Sequence, residues 1–225
     1  MPLDVEGEDV RVEDEIIIPA IKISDFFSEA ELRKNNRGLI FPYVEIDGQL
    51  KIIEEDAFKK TAPLAYAHLD SFKVELAKRD KGNKQYEAWY AWGRTQGRKA
   101  PSPKLLTKTF DAKPSFKLDR TNSLFCNGYA VMTPHEFENG VKLSIKRLQK
   151  IINSRFMHYY TKVTSFQIMG DYQCYQKNFI QLFGIPILSK EECKAIEKGS
   201  VEEVEKILSK KYDIPLKHID EYFDY

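Results

Sequence analysis

The stretch from Glu87 to Met132 rules out an all-helical fold for this chain. Aromatic and β-type residues alternate there with basic and small polar residues, and Pro101, Pro103 and Pro114 interrupt the stretch. Proline inside a helix removes a hydrogen bond and clashes with the preceding turn. The pattern therefore predicts short strands and long loops in the middle of the chain.

Segments with helical periodicity lie on both sides of this stretch. Upstream, Pro63 predicts a helix start, because proline is favoured in a first turn, and apolar residues follow at helical spacing until Gly82. Downstream, residues 144–160 are predicted as one helix. Its apolar stripe consists of Ile145, Leu148, Ile152 and Phe156. Because the helices and strands fall in separate segments, the prediction is an α+β fold.

Two glycine-containing turns predict hairpins. Asp47-Gly48 separates the β-type segments 39–46 and 49–53, and Asp-Gly supplies the positive φ values of a type I′ turn. Residues 166–175 are predicted as a strand or hairpin around Gly170. The expected architecture is a mixed sheet and hairpin domain with a spacer helix over 144–160.

Two capping boxes predict short C-terminal helices. Ser189 is followed three residues later by Glu192, and Ser200 is followed in the same way by Glu203. In such a box the serine and glutamate side chains accept hydrogen bonds from amides of the first turn. The predicted division is an acidic connector over 1–14, a main domain over 15–188 with its core at 38–188, and a small helical segment over 189–225.

Composition predicts a globular, cytoplasmic protein without a bound cofactor. Of the 225 residues, 42% are hydrophobic and 31% are charged, and no apolar run approaches the ~20 residues of a membrane span. Three widely spaced cysteines argue against a disulfide framework, and the scattered histidines argue against a zinc site. Because no Gly-x-Gly or phosphate-loop motif occurs, no nucleotide cofactor is expected in this chain.

The net charge of +1 hides a strong asymmetry along the sequence. Residues 1–15 carry seven acids against one arginine, and residues 189–225 carry ten acids against seven lysines. Between them, residues 81–118 carry nine basic residues against two acids, and residues 142–177 carry seven against one. A basic middle with acidic ends suits a polyanionic partner on one face, although a plain solvated lysine surface has the same pattern.

The aromatic motif Trp89-Tyr90-Ala91-Trp92-Gly93-Arg94-Thr95-Gln96 is the most distinctive sequence feature. Some of its rings must anchor a core, because exposing them is costly. Arg94 can bond a guanine edge or a phosphate through two hydrogen bonds, and Gln96 can do the same for adenine. An alternative is that Arg94 is a buried arginine paired with an acid.

Three groups of polar and basic residues are predicted to contact DNA. The first consists of Arg94, Gln96, Arg98, Lys99, Lys104 and Lys108. The second, on loops between short strands, consists of Arg120, Asn122 and Asn127. The third, around the predicted second hairpin, consists of Lys162, Thr164, Gln167 and Gln173. Lysines and arginines would hold phosphates, and base-edge contacts would select the sequence.

These motifs, in this order, resemble the TaqI-like C-terminal specificity domain of type II restriction-modification DNA adenine-N6 methyltransferases. The resemblance covers most of the chain. Its most specific part is Trp89-Tyr90-x-x-Gly93-Arg94-x-Gln96. Further matching fragments are Phe41-Pro42-Tyr43, Lys104-Leu105-Leu106, Phe116-x-Leu118-Asp119, Ile151-Ile152-Asn153-Ser154, Gly170-Asp171-Tyr172 and Ile185-Pro186-Ile187.

The resemblance implies a module that recognises double-stranded DNA and performs no catalysis itself. In that family the module acts with a catalytic domain that binds S-adenosylmethionine and flips the target adenine out of the duplex. This chain has no such half, so the expected partner is a methyltransferase domain in the same or a separate chain, with an endonuclease domain as an open question. No membrane partner is expected.

The sequence is also compatible with two other functional classes. A metal-dependent nuclease could use Asp171, Glu192 and Lys194, although Glu192 already serves a capping box. A protein- or RNA-interaction module could use the basic face, with Trp89, Tyr90 and Trp92 stacking on unpaired bases in the RNA case. Binding to duplex DNA, and its dependence on salt, separates these classes.

Overall fold

The structure, a computed structural model, describes residues 10–93, 102–132 and 136–223. Contacts within the chain define two compact units. Unit 1 consists of residues 1–20 and 36–100, and unit 2 consists of residues 21–35 and 101–225. Each unit contains both helices and strands, so the predicted α+β class is confirmed.

The helices and strands are numbered in chain order. The helices are α1 (Glu29–Arg33), α2 (Glu55–Thr61), α3 (Pro63–Ser71), α4 (Lys73–Ala77), α5 (Ile145–Ile152), α6 (Arg155–Thr164), α7 (Lys177–Ile180), α8 (Lys190–Lys198), α9 (Val201–Tyr212) and α10 (Leu216–Phe223). The strands are β1 (Ile17–Lys22), β2 (Gly38–Ile40), β3 (Tyr43–Ile46), β4 (Gln49–Ile52), β5 (Lys104–Lys108), β6 (Phe110–Asp111), β7 (Lys117–Asp119), β8 (Leu124–Cys126), β9 (Gly128–Val131), β10 (Gln167–Ile168) and β11 (Tyr172–Cys174). None of the helices in the described residues is long and apolar enough to cross a membrane.

Unit 1 contains the predicted Asp-Gly hairpin. Strands β3 and β4 pair antiparallel, and Asp47 and Gly48 both have positive φ, as a type I′ turn requires. The strand segment predicted over 39–46 is divided, because Leu39 pairs with β1 while β3 begins after Pro42. The hairpin prediction is therefore confirmed, and the extent of its first strand is corrected.

The helix predicted after Pro63 is divided in two. Pro63 occupies the first turn of α3, as expected, but α3 ends at Ser71 and α4 begins at Lys73. A further helix without a sequence signal is α2, whose Phe58 is fully buried in the core of unit 1 beside Ala65 and Tyr90. Two short helices, α3 and α4, thus replace the single long helix.

Unit 2 is built around the antiparallel sheet β7-β5-β9, with β5 in the centre. Successive side chains of a strand point to opposite faces. Leu105 belongs to the larger apolar core, which also includes residues of α5, α6, α8, α9 and α10. Leu106 packs instead with Ile21, Ile23 and Leu32 of the segment 21–35. Both faces of β5 are therefore covered.

The predicted spacer helix over 144–160 consists of two helices. Ser144 caps α5 and Ser154 caps α6, each accepting a hydrogen bond from an amide of the following turn. Between them, the Asn153 side chain accepts from the Phe116 amide at 2.8 Å and donates to the Phe116 carbonyl at 3.0 Å. The predicted apolar stripe is buried, but it is shared between two helices.

The other local predictions in unit 2 are confirmed. Residues 166–175 form the hairpin β10–β11, and β6 adds a third antiparallel strand beside β11. Ser189 and Ser200 both form complete capping boxes, at the starts of α8 and α9. These C-terminal helices share the larger core with α5 and α6.

Candidate nucleic-acid interface

A buried ion pair lies at the start of the central strand of unit 2. The Lys104 ammonium is 2.7 Å from the Asp119 carboxylate on β7, and the two side chains are 0% and 4% exposed. The same ammonium donates to the Thr121 carbonyl at 2.7 Å. Lys104 was predicted to contact DNA, but this arrangement places its charge inside the unit, where it positions the chain after β7.

The loop after β7 is held by a short network of polar groups. The second Asp119 oxygen accepts from the Thr121 amide at 2.9 Å and from the Thr121 hydroxyl at 2.7 Å. The Thr121 and Ser123 hydroxyls are 2.6 Å apart. Within this loop Arg120 and Asn122 are exposed. The buried network therefore fixes the backbone that presents two of the predicted DNA-contacting side chains.

Two further residues that were predicted to contact DNA, Lys108 and Asn127, lie at the other end of β5. Lys108 pairs with Gly128 in the ladder, and the exposed Asn127 comes immediately before it with a φ of 59°. The Lys108 ammonium lies 4.1 Å from the centre of the Phe27 ring, a side chain that is itself mostly exposed. Phe27 could not be predicted as part of this group, because no local sequence pattern links it to Lys108.

The ends of β5 therefore carry different groups. Lys104 and Lys108 are four residues apart, which corresponds to about 13 Å along a strand. Arg120 and Asn122 follow the β7 residue that pairs with Lys104, whereas Asn127 precedes the β9 residue that pairs with Lys108. The three residues predicted as one loop group thus belong to opposite ends of one sheet.

The third predicted group lies on and beside the hairpin β10–β11. Gln167 is exposed, and its amide donates to the Asp171 carboxylate at 2.5 Å, whereas Gln173 is buried between β10 and β6. Thr164 is exposed and donates to the Tyr160 carbonyl at 2.7 Å. Lys162 is half-buried in the last turn of α6. Exposed polar groups in this region are therefore Thr164 and Gln167, with Lys162 beside them.

Four residues of the predicted first group, Arg94, Gln96, Arg98 and Lys99, lie outside the described residues. The aromatic residues of the same motif lie within the described part of the chain and belong to unit 1. The Tyr90 hydroxyl donates to the Ile53 carbonyl at 2.6 Å, and the Trp92 indole donates to the Ile40 carbonyl at 3.2 Å. Because Tyr90 is buried and Trp92 is half-buried, these rings act as core anchors. This packing weakens the alternative in which they stack on RNA bases.

Several basic side chains of α5 and α6 hold helices together. Arg147 pairs with Glu197, and the Lys150 ammonium donates to the Glu197 and Gly199 carbonyls at the end of α8. Arg155 contacts the buried Glu205 at 2.6 Å. Arg147 and Lys150 thus each have a partner within the unit. These side chains are therefore left out of the candidate interface.

The half-buried His158 lies next to two of the basic residues. Burial, followed by the positive charges of Lys162 and Lys113, lowers the pKa of His158 to about 4. The imidazole also bonds the Ala112 backbone, and its ring lies 4.6 Å from the Phe223 ring. The fold thus holds His158 neutral within a positively charged neighbourhood.

We expect this histidine to make unit 2 acid-sensitive. A histidine in the unfolded chain has a pKa near 6.5, so its contribution to stability is complete above that pH and is lost as the pH falls towards 4. Between about pH 7 and about pH 5, the free energy of unfolding should fall by about 1 kcal/mol more in the parent chain than in His158→Gln, because solvent screens part of the effect at a half-buried imidazole. Urea unfolding followed by far-ultraviolet circular dichroism measures this difference, and equal pH slopes would contradict it.

The nuclease hypothesis lacks a metal-binding group in the described part of the chain. No group of three histidine, cysteine or acidic side chains there could hold a metal ion. Glu192 accepts a hydrogen bond from the Ser189 amide at 2.7 Å and contacts the Lys211 ammonium at 2.9 Å. Asp171 bonds Gln167 in the hairpin turn. The geometry therefore gives both acids structural partners.

Comparison with known proteins gives one informative similarity. No family model matches the chain. Over 175 residues it is 20% identical to the type II restriction enzyme and methyltransferase RM.Eco57I of Escherichia coli. The match covers 71% of this chain and 17% of that protein, so the chain spans about a sixth of the length of the relative. The similarity relates this chain to restriction-modification proteins.

Proposed function

We propose that this chain is the sequence-recognition module of a type II restriction-modification adenine methyltransferase, similar to the TaqI-like specificity domain. Its ligand is double-stranded DNA. Its partner is a catalytic domain that binds S-adenosylmethionine, in the same or a separate chain. The distant similarity to a restriction enzyme and methyltransferase supports this proposal.

The observation that carries the proposal is the loop after β7. A fully buried lysine–aspartate pair and two hydroxyl groups fix a few residues of backbone, and that backbone exposes Arg120 and Asn122. Arginine bonds guanine and asparagine bonds adenine through two hydrogen bonds, so a rigid loop with both side chains is suited to read base edges. At the far end of β5, Lys108 supplies a positive charge for phosphates.

Salt-dependent binding to duplex DNA tests the proposal. Fluorescence anisotropy with a labelled random-sequence duplex should give affinity that falls at least about tenfold between about 50 mM and about 200 mM salt, because phosphate contacts release counterions. Single-stranded RNA should compete less well than duplex DNA. No binding at low salt would favour an interaction module for an acidic protein, and better competition by RNA would favour an RNA-binding function.

Arg120 provides the residue-level prediction. Arg120→Ala should cost about 1–3 kcal/mol of discrimination at one base pair without unfolding the chain, because the side chain is exposed. Arg120→Lys should lose the same discrimination, since lysine keeps the charge but not the two-point hydrogen bonding. Lys210 is an exposed lysine on α9, so Lys210→Ala is the charge-matched control. Full specificity in Arg120→Lys would identify Arg120 as a phosphate contact and contradict the base-reading role.

A further inference from the structure

The tip of the hairpin β10–β11 exposes an apolar surface. Met169, in the turn, is 93% exposed, and its neighbours Ile168 and Tyr172 are also exposed. These two neighbours are directly paired across the hairpin. Three adjacent apolar side chains at one turn are more than the isolated exposed residues common on protein surfaces. The tip therefore has the character of a contact surface.

The tip is held in one conformation by several contacts. Gly170 and Asp171 both have positive φ, which closes a tight turn, and the Gln167 amide bonds the Asp171 carboxylate across it. At the base of the hairpin, the Phe166 ring lies between Phe110 at 6.1 Å and Phe179 at 5.8 Å. A rigid apolar tip loses little conformational entropy when it enters another molecule.

The charges around the hairpin identify the kind of molecule that the tip contacts. Four lysines lie on elements that adjoin the hairpin, at the end of β5, just after β6, on α6 and on α7: Lys108, Lys113, Lys162 and Lys177. The acids of the same elements and of the hairpin are Asp111 and Asp171, and the Asp171 carboxylate is bonded to the Gln167 amide. An apolar tip with lysines around its base is complementary to stacked bases flanked by phosphates.

We propose that Met169 is a wedge that enters double-stranded DNA between adjacent base pairs. Proteins that unstack DNA in this way use apolar side chains such as methionine, and the local unwinding exposes more of the duplex to the protein. Lysines at the base of the hairpin hold the phosphates on either side of the opened step. This inference rests on the proposed function, because it specifies how the same module engages DNA.

Relaxation of a closed circular plasmid tests the wedge without knowledge of the target sequence. A topoisomerase relaxes the plasmid in the presence of the whole chain, and the linking number is read after the protein is removed. The parent chain should lower the linking number. Met169→Ala should lose most of this shift and bind duplex DNA about tenfold more weakly, because it loses the burial of a large apolar side chain.

Val163→Ala is the matched control, because Val163 is an exposed apolar residue on the neighbouring α6. It should behave as the parent chain does, and folding of Met169→Ala is expected because the parent side chain is almost fully solvated. Equal linking numbers and affinities for the parent chain and Met169→Ala would overturn the wedge and leave DNA recognition standing. Absence of DNA binding by the parent chain would overturn both proposals.

Discussion

Lys104→Met is expected to destabilise unit 2 by about 3–5 kcal/mol, because it leaves the buried Asp119 carboxylate without its cation. The Lys104 ammonium is fully buried, 2.7 Å from that carboxylate, and also donates to the Thr121 carbonyl. Removing it thus removes an ion pair and a hydrogen bond from a place that water does not reach. Loss of stability should be accompanied by loss of the rigid loop that presents Arg120 and Asn122.

The two units can be followed separately in this measurement. Both tryptophans of the chain, Trp89 and Trp92, lie in unit 1, whereas most of the helical residues lie in unit 2. In urea, the circular dichroism transition of Lys104→Met should move to lower concentration while the tryptophan fluorescence transition changes less. The double variant Lys104→Met, Asp119→Asn should recover part of the loss, because it keeps an acceptor for Thr121 and removes the unpaired charge.

Lys210→Met is the control for the lysine substitution, since Lys210 is exposed on α9. Its effect should stay within about 0.5 kcal/mol. A similar small effect in Lys104→Met would show that the lysine is not buried against Asp119. Lys104 would then return to the set of residues available for DNA.

The second large effect is expected for Gly128→Ala, which should cost more than about 3 kcal/mol. A Cβ at Gly128 would lie 2.2 Å from the Thr107 carbonyl oxygen and 2.9 Å from the Ile23 side chain. The first of these neighbours is backbone of the central strand β5, so it cannot rotate away. The ladder between β5 and β9 would have to separate where Lys108 and Asn127 are presented.

Gly184→Ala is the matched control for Gly128→Ala. A Cβ at Gly184 meets nothing within 4 Å, and its backbone does not have a positive φ. The free energy of unfolding of Gly184→Ala should therefore stay within about 0.5 kcal/mol of the parent value. Urea unfolding followed by circular dichroism compares the two variants, and equal midpoints would contradict the close approach of β9 to β5.

Local sequence chemistry predicted the turns and caps of this fold. Asp47-Gly48 and Gly170 mark hairpins, and Ser189 and Ser200 begin helices, because each feature depends on residues only a few positions apart. The break between α5 and α6 was missed. Asn153-Ser154 interrupts an apolar stripe whose period continues across both helices, so periodicity alone does not reveal it.

The candidate site was harder to predict because its residues are brought together by strand register. Lys104 has the sequence context of a surface lysine, and its burial depends on Asp119 lying opposite it in β7. Register is set by long-range packing and cannot be read from one segment. In the same way, Phe27 is far from Lys108 in sequence, so their contact cannot be predicted locally. The exposure of Met169 depends on the absence of packing against the hairpin tip, which is also set by the tertiary fold.

Selection from a pool of random duplex DNA tests the central claim most directly. The chain is incubated with the pool at low and at higher salt, and the retained fraction is sequenced. Recognition by this module predicts that a short motif is enriched, that retention falls with salt, and that Arg120→Ala relaxes the motif at one position. Equal retention of all sequences, or no retention at low salt, would contradict the claim.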